Sequence, residues 1–213
     1  HRSDGIAEVV LNRPDKRNAF DDVIIQQLIT ALENVDADDN TRVVILRSEG
    51  KHFSAGADLG WMRRMADNSR QENLDDSREL ARLMDTLNHL GKPVIGLVQG
   101  AAFGGAVGLA ACCDIVLATE KASFCLSEVK LGLIPAVISP YVVARIGAHQ
   151  ARRYCLTAEV FSADDARQAG LVHRCVPADT LMNEVMATAM QLLNNAPRAL
   201  ATTKNLISYL VPV

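Results

Sequence analysis

The sequence predicts an α/β fold, and three observations carry that prediction. Short runs of β-branched residues alternate with amphipathic helical stripes through the first part of the chain, whereas the last third is helical in pattern. Of the 213 residues 49% are hydrophobic but only 4% are aromatic, so the core must be built from aliphatic side chains. That bias favours strands packed against helices. The length suits one globular domain with an appendage.

The predicted strands are short apolar runs bounded by turn residues. Pro14 breaks the polar segment after the first of them, and Gly91-Lys92-Pro93 precedes a run of five apolar or glycine residues that reads as a buried strand. Strand, helix, strand, helix, strand is the order of stacked crossover units. The predicted strands are residues 6–11, 43–46, 94–98, 114–118 and 123–125.

The predicted helices follow from apolar spacings of three and four residues. A stripe from Ile24 to Val35 predicts a helix that begins near Asp21, and a second stripe runs from Leu80 to Leu90. Small residues at 104–112 predict a buried helix whose first turn needs a close backbone approach. The remaining predicted helices are residues 61–65, 141–146, 148–156, 162–170, 180–194 and the segment from Pro197 onward.

The end of the last helix carries an apolar set, Leu206, Ile207, Tyr209 and Leu210. Nothing later in the sequence can cover these side chains. We therefore expect them to pack on a partner subunit or on further chain.

Charge and cysteine usage exclude several classes of protein. The net charge is −3 and the basic pairs at 63–64 and 152–153 are isolated, which argues against extended nucleic-acid binding. No stretch reaches the roughly 20 apolar residues of a membrane span. The five cysteines lack zinc or disulfide spacing and read as small core residues in a reducing compartment. His1 starts without a signal pattern or Met, which indicates a trimmed N-terminus. A bacterial-type cytoplasmic location is expected, with the mitochondrial matrix left open.

Two small-residue turns and one carboxylate are the candidates for chemistry. Residues 53–59 and the pair Gly104-Gly105 each stand between a strand and a helix, where backbone N–H groups are unobstructed. Converging N–H groups of this kind form an oxyanion hole. Either turn alone favours a packing role, and Glu128 alone favours a helix cap or a surface charge. The two turns together with a downstream carboxylate favour catalysis.

At this point the chain resembles the crotonase, or enoyl-CoA hydratase/isomerase, superfamily over nearly its whole length. The resemblance implies a spiral core of ββα turns at residues 1–145 and a helical trimerisation region at 146–213, incomplete at its C-terminal end. It also implies an acyl-CoA thioester as substrate, no metal, no cofactor beyond that coenzyme A, and a homotrimer or a dimer of trimers. The blocks that carry it are residues 13–14 with 18–19, 53–59, 92–95, 100–105, 113–115 and 124–135.

The resemblance also assigns roles to individual residues. It implies an oxyanion hole at the backbone N–H groups of Ala57 and Gly105, which would hold the thioester oxygen, and a proton-transferring carboxylate at Glu128 with a raised pKa. Arg17 would lie with Lys16 near the phosphates, although Gly60 stands where many relatives have a lysine. The implied acyl-CoA site comprises Ala55, Gly56, Ala57, Asp58, Leu59, Lys16, Gly105 and Gly108.

Gly108 is the departure that bears on the reaction, since it stands where two-glutamate hydratases of the family carry their first glutamate. We expect a hydratase of enoyl-CoA thioesters, in which a carboxylate on the substrate or a polar side chain such as Ser139 would orient the water, although a turn role is favoured for Ser139. The segments 57–62 and 133–140 look most like hydratases of branched, carboxylated enoyl-CoA esters in leucine and terpene catabolism, of the methylglutaconyl and carboxygeranoyl type. The alternatives are a Δ3,Δ2-enoyl-CoA isomerase that uses Glu128 alone and a silent acyl-CoA-binding subunit.

The remaining polar candidates favour structural roles. Four histidines lie in separate segments without acidic partners at metal-ligand spacing. Asp114 precedes a strand and is expected to be a buried acid that accepts backbone hydrogen bonds. The histidines are His52, His89, His149 and His173.

Overall fold

The computed structural model describes the backbone of residues 2–210 and the side chains of residues 4–210. Strands and helices alternate through the chain, as the sequence predicts. The strands are β1 Arg2–Ser3, β2 Ile6–Leu11, β3 Val43–Ser48, β4 Val94–Val98, β5 Ala101–Phe103, β6 Ile115–Thr119, β7 Ser123–Cys125, β8 Phe161–Ser162 and β9 Arg174–Val176. The helices are α1 Asp22–Ala37, α2 Leu59–Asp67, α3 Arg70–Asn88, α4 Gly105–Cys112, α5 Ser139–Thr157, α6 Ala163–Ala169, α7 Leu181–Leu193 and α8 Pro197–Leu210. Two 3-10 turns lie at Pro14–Lys16 and Glu128–Leu131.

The larger sheet has six strands in the order β1-β2-β3-β4-β6-β9. The pairs from β2 to β9 are all parallel, and only β1 is antiparallel to its neighbour. Alternate side chains enter two apolar layers: Val44 packs with the cluster beneath α1, α3 and α4, whereas Ile45 packs with the cluster beneath α7. Burial on both faces explains why the strands read as continuous apolar runs.

The smaller sheet has three strands in the order β5-β7-β8. β5 and β7 are parallel, with Phe103 opposite Cys125, so the chain leaves both strands at the same edge. Ser54 forms an isolated bridge to Ala102 and adds a further segment beside β5. Three loops are thereby delivered to one place, since carboxyl ends of parallel strands share an edge.

Most predicted elements are confirmed, but several are longer than expected or were not foreseen. α3 begins at Arg70, ten residues before the predicted stripe, because Ser69 and Glu72 form a capping box. The short strands β5, β8 and β9 were not predicted. α6 begins at the predicted capping box of Ser162 with Asp165 and ends at Gly170.

The predicted division after residue 145 falls inside α5. Gly147 interrupts that helix with φ 71° and ψ 157°, so the two predicted pieces of α5 are separated at that residue. Beyond it, β8 pairs with β7 and β9 pairs with β6, so this part of the chain contributes to both sheets. The division into a core and a trimerisation region stays a prediction.

Candidate active site

Three segments meet at the edge of the smaller sheet where β5 and β7 end. The first is residues 54–58. The second, here the Gly104 turn, is residues 103–106 at the start of α4. The third, here the Glu128 turn, is residues 127–132, which contains the 3-10 turn Glu128–Leu131. The register of β5 and β7 sets the second and third side by side.

The backbone N–H of Ala57 points away from Phe20, the residue with which Ala57 forms an isolated bridge. Phe20 bridges this segment by donating to the Gly56 carbonyl at 2.9 Å and accepting from Asp58 N–H at 2.9 Å. Because successive amides of an extended chain point in opposite directions, the N–H of Ala57 faces the other side. No acceptor among residues 2–210 takes it up.

The N–H of Gly105 is also unengaged within the part of the chain described. Gly105 is the first residue of α4, and the first N–H groups of a helix have no partner in their own helix. A Cβ placed on Gly56 would lie 3.7 Å from this nitrogen, which puts Gly105 directly against the 54–58 segment. Two free donors thus come from neighbouring segments, as the predicted oxyanion hole requires.

Glycine at positions 56 and 105 is explained by the close approach of neighbouring atoms. Gly56 has φ 84°, and a Cβ there would lie 2.5 Å from the Phe103 carbonyl oxygen. A Cβ on Gly105 would lie 2.6 Å from the Phe20 ring. The buried Ser54 hydroxyl holds the Gly56 backbone in place. It donates to Asn18 O at 2.8 Å and accepts from Gly56 N–H at 3.1 Å.

Glu128 directs its carboxylate toward the Gly104 turn. Its Oε1 lies 3.4 Å from the position that a Cβ on Gly104 would occupy. Its Oε2 is buried and has no hydrogen-bond partner among the described residues. Burial raises the pKa of Glu128, and its own backbone N–H opposes that shift only in part. A carboxylate whose pKa is raised in this way is suited to take up and return a proton.

Gly108 lies in α4, where there is no room for a side chain. A Cβ there would lie 2.8 Å from Ile138 Cβ and closer still to Ile138 Cγ2. Met84 Cε lies 3.3 Å from the same point. The space that a glutamate at this position would need is therefore filled by the buried Ile138 side chain.

Asp58, predicted to lie in the acyl-CoA site, caps a helix. Its Oδ1 accepts from Gly60 N–H at 2.8 Å and from Trp61 N–H at 3.1 Å, at the start of α2. The Trp61 bond is the main cause that lowers the pKa of Asp58, and Arg13 lies 3.6 Å from its Oδ2. The carboxylate of Asp58 therefore has a structural role as a helix cap. The next side chain, Leu59, is 65% exposed.

The residues predicted to meet the coenzyme A phosphates lie beside that segment. Ala55 N–H donates to Arg17 O at 2.9 Å, which brings the turn that holds Lys16 against residues 54–58. Both Lys16 and Arg17 are exposed. The structure therefore brings the turn with Lys16 and Arg17 beside residues 54–58, and neither cation forms a salt bridge with the side chains of residues 4–210.

Ser139 does not face the carboxylate as an unengaged group. Its hydroxyl donates to the Pro135 carbonyl at 2.6 Å, which is the turn role that the sequence also allowed. The side chain that sequence analysis missed is Ser127. It directly precedes Glu128, and its Oγ lies 3.6 Å from the Cβ position on Gly104.

The other polar candidates have structural partners. His52 Nδ1 accepts from Ala101 N–H at 3.2 Å, and His173 Nδ1 accepts from Val116 N–H at 3.0 Å. His89 corrects the sequence analysis, because Asp85 lies one helical turn away at 2.9 Å. Asp114 is half-buried and accepts from Val94 N–H at 2.7 Å as expected. It also pairs with Lys204 of α8 at 2.8 Å, which was not foreseen.

Metal and membrane features can be stated for the described residues. Residues 4–210 hold no group of three or more potential metal-ligating side chains. Within residues 2–210 no helix has the length and apolarity of a membrane span. The five cysteines are free thiols, three of them buried and two half-buried: Cys112, Cys113, Cys125, Cys155 and Cys175.

Two unengaged backbone amides near one partly buried carboxylate are the arrangement that an enzyme needs to stabilise an oxyanion while a proton is transferred. The chain belongs to the enoyl-CoA hydratase/isomerase family, whose model matches residues 1–209. The predicted resemblance and fold are thereby confirmed.

Relatives within this family carry both reaction names. An enoyl-CoA hydratase of Shewanella pealeana is 51% identical, with a TM-score of 0.94 over 97% of this chain and 77% of that one. A mitochondrial enoyl-CoA hydratase of Pongo abelii is 34% identical over 97% of this chain and 70% of its own length. A mitochondrial Δ(3,5)-Δ(2,4)-dienoyl-CoA isomerase of Dictyostelium discoideum is 33% identical over 93% of this chain and 71% of its own.

Proposed function

We propose that this protein is a hydratase that adds water across the 2,3 double bond of an enoyl-CoA thioester. The observation that carries the proposal is the occurrence together of the free N–H groups of Ala57 and Gly105 and the unpartnered Oε2 of Glu128. Charge that develops on a thioester oxygen needs fixed donors, and each such donor contributes about 2.7–4 kcal/mol. Hydration also needs one group that accepts a proton and gives it back.

The reaction balances with one carboxylate. Glu128 takes a proton from water as the water oxygen bonds to C3, and the electron pair of the C2=C3 bond moves onto the thioester as an enolate. Ala57 and Gly105 hold the enolate oxygen. When the thioester carbonyl re-forms, C2 takes the proton from Glu128. Water has then been added, oxygen at C3 and hydrogen at C2, and the carboxylate is restored.

The raised pKa of Glu128 suits both halves of this cycle. In its ionised form, the carboxylate starts the cycle as a base. Because burial raises the pKa of Glu128, the protonated carboxyl group retains the proton until it is transferred to C2.

We further propose that the acyl group is branched and carries a carboxylate. A branched acyl group is supported by the apolar surroundings of the site. Ile138 fills the place beside Gly108, and Leu133 and Ile134, on the loop that follows Glu128, are 50% and 77% exposed. The second part rests on the resemblance of residues 133–140 to hydratases of carboxylated esters. Lys16 and Arg17 would bind the coenzyme A phosphates.

Assembly as a homotrimer or a dimer of trimers is part of the proposal. α8 has no buried residue, and four of its large apolar side chains are more than half exposed. Packing against a partner subunit would remove that surface from water. Free thiols support a reducing location such as the bacterial cytoplasm. The apolar side chains are Leu206, Ile207, Tyr209 and Leu210.

A Δ3,Δ2-enoyl-CoA isomerase is the second candidate function, and the contact of Gly108 with Ile138 favours it. With no second carboxylate to hold water, Glu128 could move one proton between C2 and C4 while the same amides hold the enolate. The family includes isomerases, as the Dictyostelium relative illustrates.

Product analysis separates the candidates. Purified protein is incubated with a panel of straight, branched and carboxylated 2-enoyl-CoA and 3-enoyl-CoA thioesters, and products are resolved by chromatography with mass detection. A 3-hydroxyacyl product from the 2-enoyl substrates, with the highest kcat/KM for a branched carboxylated ester, is expected. Interconversion of double-bond isomers without hydroxyacyl product would defeat the hydratase proposal. No turnover with retained thioester binding would favour a silent binding subunit.

A further inference from the structure

The attacking water needs a second polar contact besides Glu128, and the residues first expected to supply it are engaged or absent. Gly108 has no side chain and its surroundings are filled by Ile138. The Ser139 hydroxyl donates to Pro135 O at 2.6 Å. Glu128 alone accepts one of the two water protons, which leaves the other O–H unplaced.

The side chain that borders the same space as the carboxylate is Ser127. From a Cβ position on Gly104, Ser127 Oγ lies 3.6 Å away and Glu128 Oε1 lies 3.4 Å away. Gly104 has φ 53° and ψ −126°, a conformation reserved for glycine, so no side chain enters this space. Two oxygens from consecutive residues therefore flank one gap beside the oxyanion-hole amide of Gly105.

The Ser127 hydroxyl is available for a ligand. It precedes the 3-10 turn Glu128–Leu131 but accepts no capping hydrogen bond from it. Among the side-chain hydrogen bonds of residues 4–210, none involves Ser127 Oγ. The residue is half-buried and its backbone carbonyl already accepts from Lys130 N–H at 3.1 Å, so the turn is held without the hydroxyl.

We propose that Ser127 holds the attacking water in hydration, an inference that rests on the hydratase function proposed above. The water donates one O–H to Glu128 and the other to Ser127 Oγ, which leaves an oxygen lone pair directed at C3. Ser127 neither gains nor loses a proton in the reaction. As a neutral group it orients the water without the repulsion that a second carboxylate would add to Glu128.

The test compares hydration with a reaction of the same site that needs no attacking water. Hydration of a 2-enoyl-CoA thioester and exchange of the α-proton of a saturated acyl-CoA in D₂O are measured for wild type and for Ser127→Ala. Both reactions use Glu128 and the amides, but only hydration uses the held water. We expect kcat for hydration to fall about tenfold or more while α-proton exchange stays within about twofold of wild type.

Two further variants separate positioning from folding. Ser127→Thr keeps the hydroxyl and is expected to restore most of the hydration rate. Ser123→Ala removes a hydroxyl from the start of β7, four residues earlier, and is expected to leave both reactions unchanged. Thermal unfolding of each variant is compared with that of wild type.

Several outcomes would overturn the inference. Equal hydration by wild type and Ser127→Ala would remove Ser127 from the reaction and leave the hydratase function standing. A parallel loss of hydration and α-proton exchange, with no rescue by threonine, would assign Ser127 to the shape of the turn. If wild type forms no hydroxyacyl product from any ester, the hydratase function and this inference fall together.

Discussion

The Gly104 turn and the Glu128 turn follow paired strands yet offer different kinds of group to the proposed reaction. The Gly104 turn leads into α4, where every residue from Ala106 to Cys112 is buried, and it offers only a backbone N–H. The Glu128 turn has no buried residue in its 3-10 segment and offers a side chain. A backbone N–H group is held in position only by the fold around it, so it requires dense packing. A carboxylate that must gain and lose a proton requires instead an apolar setting without a fixed partner.

The largest expected effect is the loss of turnover when the Glu128 carboxylate is removed. Glu128→Gln keeps the shape but cannot exchange the proton, so kcat is expected to fall about a hundredfold or more with thioester binding retained. Steady-state kinetics and calorimetric titration with a product analogue measure the two quantities. Glu120→Gln, an exposed change in a nearby turn, is the matched control. Loss of binding together with turnover would show that Glu128 shapes the site and does not act in it.

The packing behind α4 can be probed through Gly108 and Ile138. Ile138→Ala is expected to destabilise the wild-type fold by about 2–5 kcal/mol. In a Gly108→Ala background the added methyl group occupies part of the vacated space, so the same change is expected to cost about 1–2 kcal/mol less. Denaturant unfolding of the four proteins gives the coupling. Additive effects would mean that the two residues are not in contact.

A matched pair of valines tests whether the two turns differ in packing as described. Val107 in α4 is 0% exposed, and Val129 in the Glu128 turn is 37% exposed. Val107→Ala is expected to lower the free energy of unfolding by about 2 kcal/mol, and Val129→Ala by less than about 0.5 kcal/mol. Equal losses in urea unfolding would contradict the contrast.

The smallest expected effect is a change in the pH dependence of stability. The folded pKa of Glu128 is raised above its ordinary value of 4.5, so the stability linked to its proton is fully present below pH 4.5 and is lost as pH rises through the folded pKa. Glu128→Gln carries no such loss. Its Tm is expected to be equal to or above that of wild type at neutral pH, with the difference vanishing below pH 4.5. A variant less stable than wild type at neutral pH would mean that the carboxylate has a stabilising partner.

The proposed mechanism predicts that the same ionisation governs the rate of hydration. Because the base must be ionised, kcat/KM for hydration is expected to fall on the acid side at a pH above 4.5. A profile measured with a neutral acyl-CoA substrate gives the midpoint. An acid limb below pH 4.5 would contradict the raised pKa of Glu128.

The long elements of this fold are visible in the sequence because their signals are local. β2 and β4 have the predicted bounds since their apolar runs end at turn residues, and α1 begins after Asp21, whose side chain accepts from Ile24 N–H at 3.0 Å. The first half of α3 was missed because it is polar, although its capping box marks the start. β8 and β9 have two or three residues each, too few for a periodic signal.

The site divides in the same way. Turn chemistry and family resemblance point to Ala57, Gly105 and Glu128 because glycine, small residues and a lone carboxylate are local features. The filling of the Gly108 site by Ile138 joins residues from α4 and the loop before α5, which no pattern in the chain connects. The ion pair between Asp114 and Lys204 joins residues 90 positions apart, so no local sequence pattern predicts it either.

The contact between Gly108 and Ile138 also bears on how this enzyme can evolve. Some glycine codons lie one nucleotide from a glutamate codon, so a second carboxylate is genetically near. It is structurally distant, because the new side chain would enter occupied space and bury a charge there. Residue 138 must first become smaller, at a cost in stability that selection has to tolerate before any catalytic benefit exists. The one-carboxylate state is therefore held in place by an aliphatic side chain that takes no part in the chemistry.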